Sequence, residues 1–179
     1  MSIILSLTAL WISYGLLFES SIESPDYKML TKHKTYEVRH YDHINIVAVN
    51  MTNESNSFRS LFNFISGNND ASLKIKMTAP VISSDAKMMF VLPADLENIP
   101  NPIDQNLVIS EIKDFTVAVK SFSGYARNSK QVYDSFLSEI ESDDYNPKGE
   151  WYVSQYNSPW VIPFMRKNEI WIVIDSKVN

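Results

Sequence analysis

The sequence contains no cysteine. That absence excludes a disulfide framework, a thiolate metal site, a cysteine nucleophile and the acylated cysteine of a lipoprotein. A basic excess is also missing, since 16 Lys and Arg face 21 Asp and Glu for a net charge of -5. A protein without a basic surface lacks the counterion release that dominates affinity for nucleic acid, so we expect no nucleic-acid partner.

Recognisable catalytic motifs are missing too. The chain has three histidines and carries no HExxH, no G-x-S-x-G and no P-loop spacing. We therefore expect a protein that is not an enzyme. What is present is a chain of 179 residues, 45% hydrophobic and 21% charged, which is enough for one good core or for two small halves that share one.

Residues 2–18, SIILSLTALWISYGLLF, form a charge-free apolar run that acidic residues follow. The run is long enough to span a bilayer with interfacial help from Trp11 and Tyr14, and also long enough for the core of a signal peptide. A secretory signal usually has Lys or Arg before its core and a small-x-small cleavage site after it, and neither is clear here. The pattern favours a retained N-terminal anchoring helix. The alternative is a secreted or lumenal protein after signal removal.

The first half of the remaining chain predicts two strands, a helix and two more strands. A turn at Asp42 and His43 separates the first two strands. Pro80 falls within the third, which must therefore end, bulge or lie at an edge there, because proline cannot donate to a ladder. The predicted strands are residues 35–41, 44–51, 74–82 and 87–93.

The helix of this half is indicated by apolar residues at i, i+3, i+4 and i+7. Ser57 is the candidate N-cap, and Gly67 lies just past the predicted end. The apolar stripe consists of Phe58, Leu61, Phe62 and Ile65.

The second half repeats the same order after a linker at residues 94–106. Asn128 and Gln131 resemble a capping box at the start of its helix. Two strand-strand-helix-strand-strand repeats predict an α+β domain whose sheets join into a distorted antiparallel β-barrel, with the two helices outside and the N-terminal hydrophobic helix added. The strands of this half are residues 107–115, 116–122, 150–157 and 168–175, and its helical stripe is Val132, Tyr133, Phe136, Leu137 and Ile140.

Four stretches of the chain resemble the signatures of the SOUL heme-binding protein family. They are KIKMTAPVI at 74–82, YNSPWVIPFMRKNEIWI at 156–172, YEVRHY at 36–41 and FSGYA at 122–126. The resemblance runs from about residue 27 to 175, and the family's duplicated barrel with two helices agrees with the pattern above. It divides the chain into residues 1–26, a hydrophobic anchor or signal with a short linker, and residues 27–179, a SOUL-type heme-binding domain.

The resemblance implies noncovalent binding of heme or a related tetrapyrrole. In some members the histidine of the YEVRHY-like stretch is the axial iron ligand, and the matching residue here is His40. In others heme lies between the first helix and the loop before the last strand. On this chain those elements offer Phe62, Trp160 and Phe164 as walls and Arg166 as a partner for the propionates.

Other interpretations of the same residues stay open. Phe62 also fits the core stripe of its helix, Trp160 and Phe164 could plug the barrel end, and Arg166 could pair with Glu169 on the surface. At the level of function, the prediction is a membrane-tethered tetrapyrrole-binding module. The alternative is a structural or interaction subunit of a larger membrane-associated assembly with no ligand.

Overall fold

The computed structural model describes residues 22–158 and 160–175, so the predicted N-terminal helix at 2–18 lies outside the described residues. The described chain contains seven β-strands and two α-helices. Neither helix is long and apolar enough to cross a membrane. The strands are β1 (Lys28–Lys32), β2 (Glu37–Asn50), β3 (Val81–Ser83), β4 (Lys87–Val91), β5 (Leu107–Ser123), β6 (Pro147–Gln155) and β7 (Lys167–Ile174), and the helices are α1 (Glu54–Ile65) and α2 (Ser129–Ser142).

Six of these strands close into an antiparallel barrel. The sheet order is β1-β2-β4-β3-β6-β7-β5, and an additional pairing of β2 with β5 closes the ring while β1 extends the free edge of β2. Each half supplies a long strand, a helix and two shorter strands in the same order along the chain. The predicted fold class, a duplicated antiparallel barrel flanked by two helices, is confirmed.

The two long strands differ from their prediction. The predicted turn at Asp42 and His43 is wrong, because β2 runs through both residues, and β5 likewise runs through the predicted break after Phe115. Tyr41 and Ile44 nevertheless pack in the same interior cluster although they lie three residues apart. The alternation of side chains therefore shifts by one residue at this point, and opposite it Asp114 in β5 has a φ of +49°.

The predicted strand at 74–82 is mostly wrong. Only Val81–Ser83 is a strand, and Pro80 precedes it with a cis peptide bond to Ala79, so the proline takes no place in the ladder. Ile75 is buried while Lys74 and Lys76 are exposed, which reproduces the alternation in a segment outside any strand. The alternation came from packing under α1, where the Ile75 N–H donates to the Ile65 carbonyl at 2.8 Å.

The helix boundaries confirm some caps and correct others. Asn53, not Ser57, is the N-cap of α1, and its Oδ1 accepts a hydrogen bond from the Asn56 N–H at 2.9 Å. Gly67 follows the end of α1 with a φ of +110°, as predicted. Helix α2 begins after Asn128 as predicted, but the Asn128 side chain makes no capping bond.

The core has three parts. One lies between α1 and the outer face of the barrel, one lies between α2 and that face, and the third fills the barrel interior. Their most buried members are Leu61 and Phe64 under α1, Phe136 and Ile140 under α2, and Tyr41, Val117 and Trp171 inside the barrel.

The antiparallel pairing also defines two ends of the barrel. At the end that we call the upper end, β2, β3 and β7 begin and β4, β5 and β6 finish. The segment that enters the described structure at residue 22 reaches this end, because the Glu23 carbonyl accepts from the Ala79 N–H and its carboxylate from the Ala94 N–H, both at 2.8 Å.

Candidate ligand clefts

The five residues predicted for a ligand site lie in three different places. His40 lines one cleft and Phe62 lines another, while Trp160, Phe164 and Arg166 belong to a loop whose described residues contribute to neither lining. Two clefts and the loop therefore have to be compared as separate candidates.

The His40 cleft has a volume of about 290 Å³ and lies against the incoming segment 23–28. The strand alternation places His40 on the opposite face from Arg39 and Tyr41, so that it lines this cleft. Its Nδ1 lies 2.9 Å from Thr116 Oγ1 and its Nε2 lies 3.3 Å from Asp42 Oδ1. Both ring nitrogens are thus engaged by oxygen atoms.

The rest of the His40 cleft places several charged groups beside apolar ones. Lys28 Nζ lies 2.9 Å from Asp42 Oδ1, and this hydrogen bond lowers the pKa of Asp42. The lining also includes Glu23, Asp26 and His43. Such a lining suits water or a small polar molecule better than an apolar macrocycle, which needs apolar walls.

The α1 cleft is apolar by comparison and has a volume of about 330 Å³. Its lining combines aliphatic and aromatic side chains with one ammonium group and one thioether. The residues are Phe62, Ile65, Ser66, Lys74, Ile75 and Met77.

Phe62 owes its position to the packing of α1. Phe64 and Leu61 take the fully buried places, so Phe62 is left 47% exposed on the flank of the helix. There it stacks on Phe58, with ring centroids 6.0 Å apart and planes inclined by 13°, and Phe58 in turn meets Phe90 edge-on at 5.2 Å. An aromatic surface therefore stands beside the α1 cleft.

Sequence reasoning missed Lys74, Ile75 and Met77 as cleft residues. All three lie in the stretch KIKMTAPVI, whose irregular backbone bends along α1 instead of pairing as a strand. The signal that could have found them was Pro80, because it excludes the residues around it from a central ladder.

The loop before β7 exposes its large side chains. Trp160 is 83% exposed and Phe164 is 73% exposed. Arg166 points back into the loop, where its Nε donates to the Val161 carbonyl at 2.7 Å and its guanidinium lies 5.5 Å from the centre of the Tyr125 ring. The alternative interpretation, in which Arg166 pairs with Glu169 on the surface, is wrong, because Glu169 is fully buried and bonded elsewhere.

A buried ion pair lies inside the barrel near its upper end. Arg39 Nη1 lies 3.1 Å from Glu169 Oε2, which also accepts from the Tyr156 hydroxyl at 2.7 Å and the Trp171 indole at 2.8 Å. Burial opposes ionisation of Glu169, but the Arg39 charge and these hydrogen bonds hold its pKa below the usual range. The network joins the two halves, since Arg39 comes from β2 and Glu169 from β7.

A metal site built from several carboxylates and histidines is not found within residues 22–158 and 160–175. A ligand that brings its own metal, such as an iron porphyrin, would need only an apolar slot, a cation for its carboxylates and at most one axial donor from the protein. The α1 cleft supplies groups of each kind.

Comparison with known proteins places the chain among relatives. The family model described as SOUL heme-binding protein matches residues 22–173. Heme-binding protein 2 of Homo sapiens is 29% identical over 162 residues, covering 78% of each chain. Heme-binding protein 1 of Mus musculus is 25% identical over 127 residues, covering 63% of this chain and 67% of the relative.

Among solved structures, the C-terminal domain of EcmrR has a similar fold. It superposes with a TM-score of 0.58 at 10% identity and covers 84% of this chain and 98% of that chain. EcmrR in its complex with DNA gives a TM-score of 0.60 at 11% identity, covering 98% of this chain and 69% of that one. At such low identity the likeness concerns the fold alone.

Proposed function

The chain belongs to the SOUL heme-binding protein family, and from that premise we propose that it binds heme or a related tetrapyrrole, without covalent attachment, in the α1 cleft. The observation that carries the proposal is the lining of this cleft, in which apolar walls surround one cation. The proposed activity is binding and not catalysis.

The residues of the α1 cleft fit a tetrapyrrole. Phe62, Ile65 and Ile75 offer apolar contact to the faces of a macrocycle, and Lys74 offers an ammonium group to a propionate. A volume of about 330 Å³ lies at the lower end of the range of small-molecule sites, so the cleft would hold one edge of the ring system. When bound, heme would supply iron chemistry and colour, and the protein would supply orientation and shielding.

His40 is less suited to the role of axial ligand that the resemblance assigned to it. An imidazole must present a nitrogen lone pair to iron, whereas both nitrogens of His40 lie close to Thr116 and Asp42. The lining of its cleft is also charged. Ligation by His40 stays a prediction, as do the roles of Trp160, Phe164 and Arg166 in forming a second wall.

Hemin titration of the full-length protein, followed by the Soret band, tests the proposal. We expect saturable binding that Phe62→Ala weakens by roughly 1 to 3 kcal/mol, the value of burying one large apolar side chain. His40→Ala should change neither the affinity nor the Soret position. The same titration with Trp160→Ala tests the second wall, whose loss would cost a similar amount.

The matched control is Leu30→Ala, which truncates an apolar residue of similar exposure on β1. It should bind hemin like the wild type. Binding lost in His40→Ala alone would move the site to the His40 cleft. If neither the wild type nor any variant binds hemin saturably, the alternative of a ligand-free interaction subunit is favoured.

We also propose that residues 2–18 tether the domain to a membrane, because the run is charge-free and long enough to span a bilayer. Native protein should then stay with membranes through a carbonate wash. Release into the supernatant would contradict the tether and favour a removed signal. This test is independent of hemin binding.

A further inference from the structure

The loop between β6 and β7 exposes an unusual concentration of apolar surface. Besides Trp160 and Phe164, Ile162 is 42% exposed, and Tyr125 beside the loop is exposed to the same degree. Large apolar side chains are normally scattered singly on a soluble surface, and a contiguous group at the tip of one loop marks an interaction site.

The loop backbone is held in a defined shape, so the exposure does not come from an unfolded segment. The Val161 N–H donates to the Ser158 carbonyl at 3.0 Å, and the Met165 N–H donates to the Ile162 carbonyl at 2.9 Å within a short 3-10 turn. Asn168 then ties the base of the loop to the Gly124 carbonyl at 3.0 Å. The aromatic side chains are presented outward from a braced turn.

Cations surround the base of this apolar tip. The guanidinium of Arg127 lies 4.3 Å from the centre of the Tyr125 ring, and that of Arg166 lies 5.5 Å from it. Lys167 lies 4.1 Å from the centre of the Tyr156 ring, but its ammonium group also pairs with Glu169 at 3.3 Å, so the positive charge at the tip comes from the two arginines. In the part of the chain that the structure describes, no carboxylate pairs with Arg127, whose guanidinium lies over the Tyr125 ring. The group is positive on a chain whose net charge is -5.

The loop also lies at the end of the barrel where the N-terminal segment arrives. Glu23 is hydrogen bonded to Ala79, and two residues later Val81 pairs with Gln155, the last residue of β6 before the loop. Neighbouring strands are about 5 Å apart, so the incoming chain and the base of the loop are close neighbours at the upper end.

We propose that this loop is an interfacial surface that binds a bilayer containing anionic lipid. Trp160, Ile162 and Phe164 enter the boundary between headgroups and acyl chains, where aromatic residues concentrate. Arg127 and Arg166 lie just behind them, at the depth of the lipid phosphates. The proposal rests on the loop and its cations, and it does not depend on hemin binding or on the tether.

The absence of cysteine makes the test direct, because one introduced cysteine can be labelled uniquely. We would attach a nitroxide at Phe164→Cys in the full-length protein and measure its collisions with oxygen and with a water-soluble nickel complex. Vesicles of phosphatidylcholine alone would be compared with vesicles that also contain phosphatidylserine. The control label is at Ile103→Cys, an exposed apolar position in the linker.

On phosphatidylserine vesicles, the label at position 164 should become more accessible to oxygen and less accessible to nickel, while the label at 103 stays in water. Arg127→Gln should reverse much of that shift, and Lys113→Gln, which removes a lysine from β5, should not. Trp160→Ala should also reduce it, because one inserted aromatic is lost.

Three results would overturn the proposal. If the label at 164 stays as accessible to nickel as the label at 103, the exposed aromatic residues would be assigned to a protein partner instead. Equal lipid exposure at both positions would mean that the loop is not the contact. A shift that does not depend on phosphatidylserine or on Arg127 would remove the assignment to anionic lipid.

Discussion

The two halves of the barrel contain the same elements in the same order, yet one is closed by its helix and the other is left open. In the second half, Phe136 of α2 is fully buried against Tyr36, with ring centroids 5.3 Å apart, and Tyr133 stacks on Trp151 at 4.4 Å. Glu139 adds bonds to Lys120 and Thr35. Every large aromatic side chain of α2 thus has a partner in the barrel wall.

Helix α1 uses its aromatic residues differently. Phe64 is fully buried and Phe58 meets Phe90 in the barrel wall, but Phe62 stacks on Phe58 and lines the α1 cleft. Each half must bury the apolar stripe of its helix against the barrel wall. The other aromatic positions differ between the two helices, and in α1 one of them, Phe62, lines the proposed ligand site.

Truncation of one buried and one half-exposed aromatic should separate the two helices most clearly. Phe136→Ala should destabilise the protein by roughly 3 to 5 kcal/mol, because it leaves a cavity under α2. Phe62→Ala should cost less than about 1 kcal/mol, since that ring is half exposed. Urea unfolding of both variants measures the difference, and equal losses would contradict the assignment of Phe62 to a cleft.

The ion pair that joins the halves gives the second effect. Glu169→Gln keeps the shape but removes the charge facing Arg39, and it should cost roughly 1.5 to 3 kcal/mol at neutral pH. Because the folded pKa of Glu169 lies below its unfolded value, its contribution is complete at neutral pH and is lost as the pH falls through the folded pKa.

Urea unfolding from pH 7 down to pH 3 should therefore show the gap between wild type and Glu169→Gln shrinking below about pH 4. Glu111→Gln is the control, because Glu111 is a surface partner of Lys113 and should matter little. A gap that stays constant with pH would mean that the pKa of Glu169 is the same in the folded and unfolded states, and a gap that widens as the pH falls would mean that Glu169 is protonated in the native state.

The helix starts provide a smaller contrast. Asn53 caps α1 through its side chain, so Asn53→Ala should cost about 1 kcal/mol. Asn128 precedes α2 without a capping bond, and Asn128→Ala should be nearly neutral. Thermal or urea unfolding measures the stability of both variants, and equal losses of stability would contradict the capping role of Asn53.

The residues just after the two helices differ in a way that should change stability only slightly. Gly67 takes the left-handed position after α1, whereas Asp144 has a φ of +61° just after α2. Asp144→Gly should stabilise the protein by roughly 0.5 kcal/mol, because glycine adopts that conformation without steric cost and the change removes a negative charge near a helix C-terminus. A loss of stability would show that Asp144 makes a compensating contact.

The sequence was sufficient to predict the fold class, because the order of elements and the two helical stripes survive in the structure. It failed where long-range pairing overrides a local signal. Asp42 and His43 look like a turn, but pairing with β5 on one side keeps the strand continuous through them. Likewise, Asn and Ser are both good capping residues, so the local sequence could not show that α1 begins after Asn53 and not after Ser57.

The candidate site was less predictable than the fold. His40 and Phe62 each line a cleft, yet no local pattern shows that they line different ones. The cleft residues Lys74 and Met77 lie in a segment whose burial alternates like that of a strand, and only its path along α1 reveals its role. Arg39 and Glu169 are far apart in sequence, so their pairing required the barrel to be closed.

The long strands β2 and β5 each pack against both helices, and this sharing links the folding of the two halves. Strand β2 pairs with β5 along almost its whole length, from the Glu37–Val119 pair to the Val49–Leu107 pair. The first part of β2 and the last part of β5 pack under α2, whereas the last part of β2 and the first part of β5 pack under α1. Neither half can therefore lose its structure while the other keeps its own. Amide exchange on both sides of Tyr41 should report a single opening free energy, and folding should be slow for the size of the chain, because β2 must first meet a strand distant in sequence.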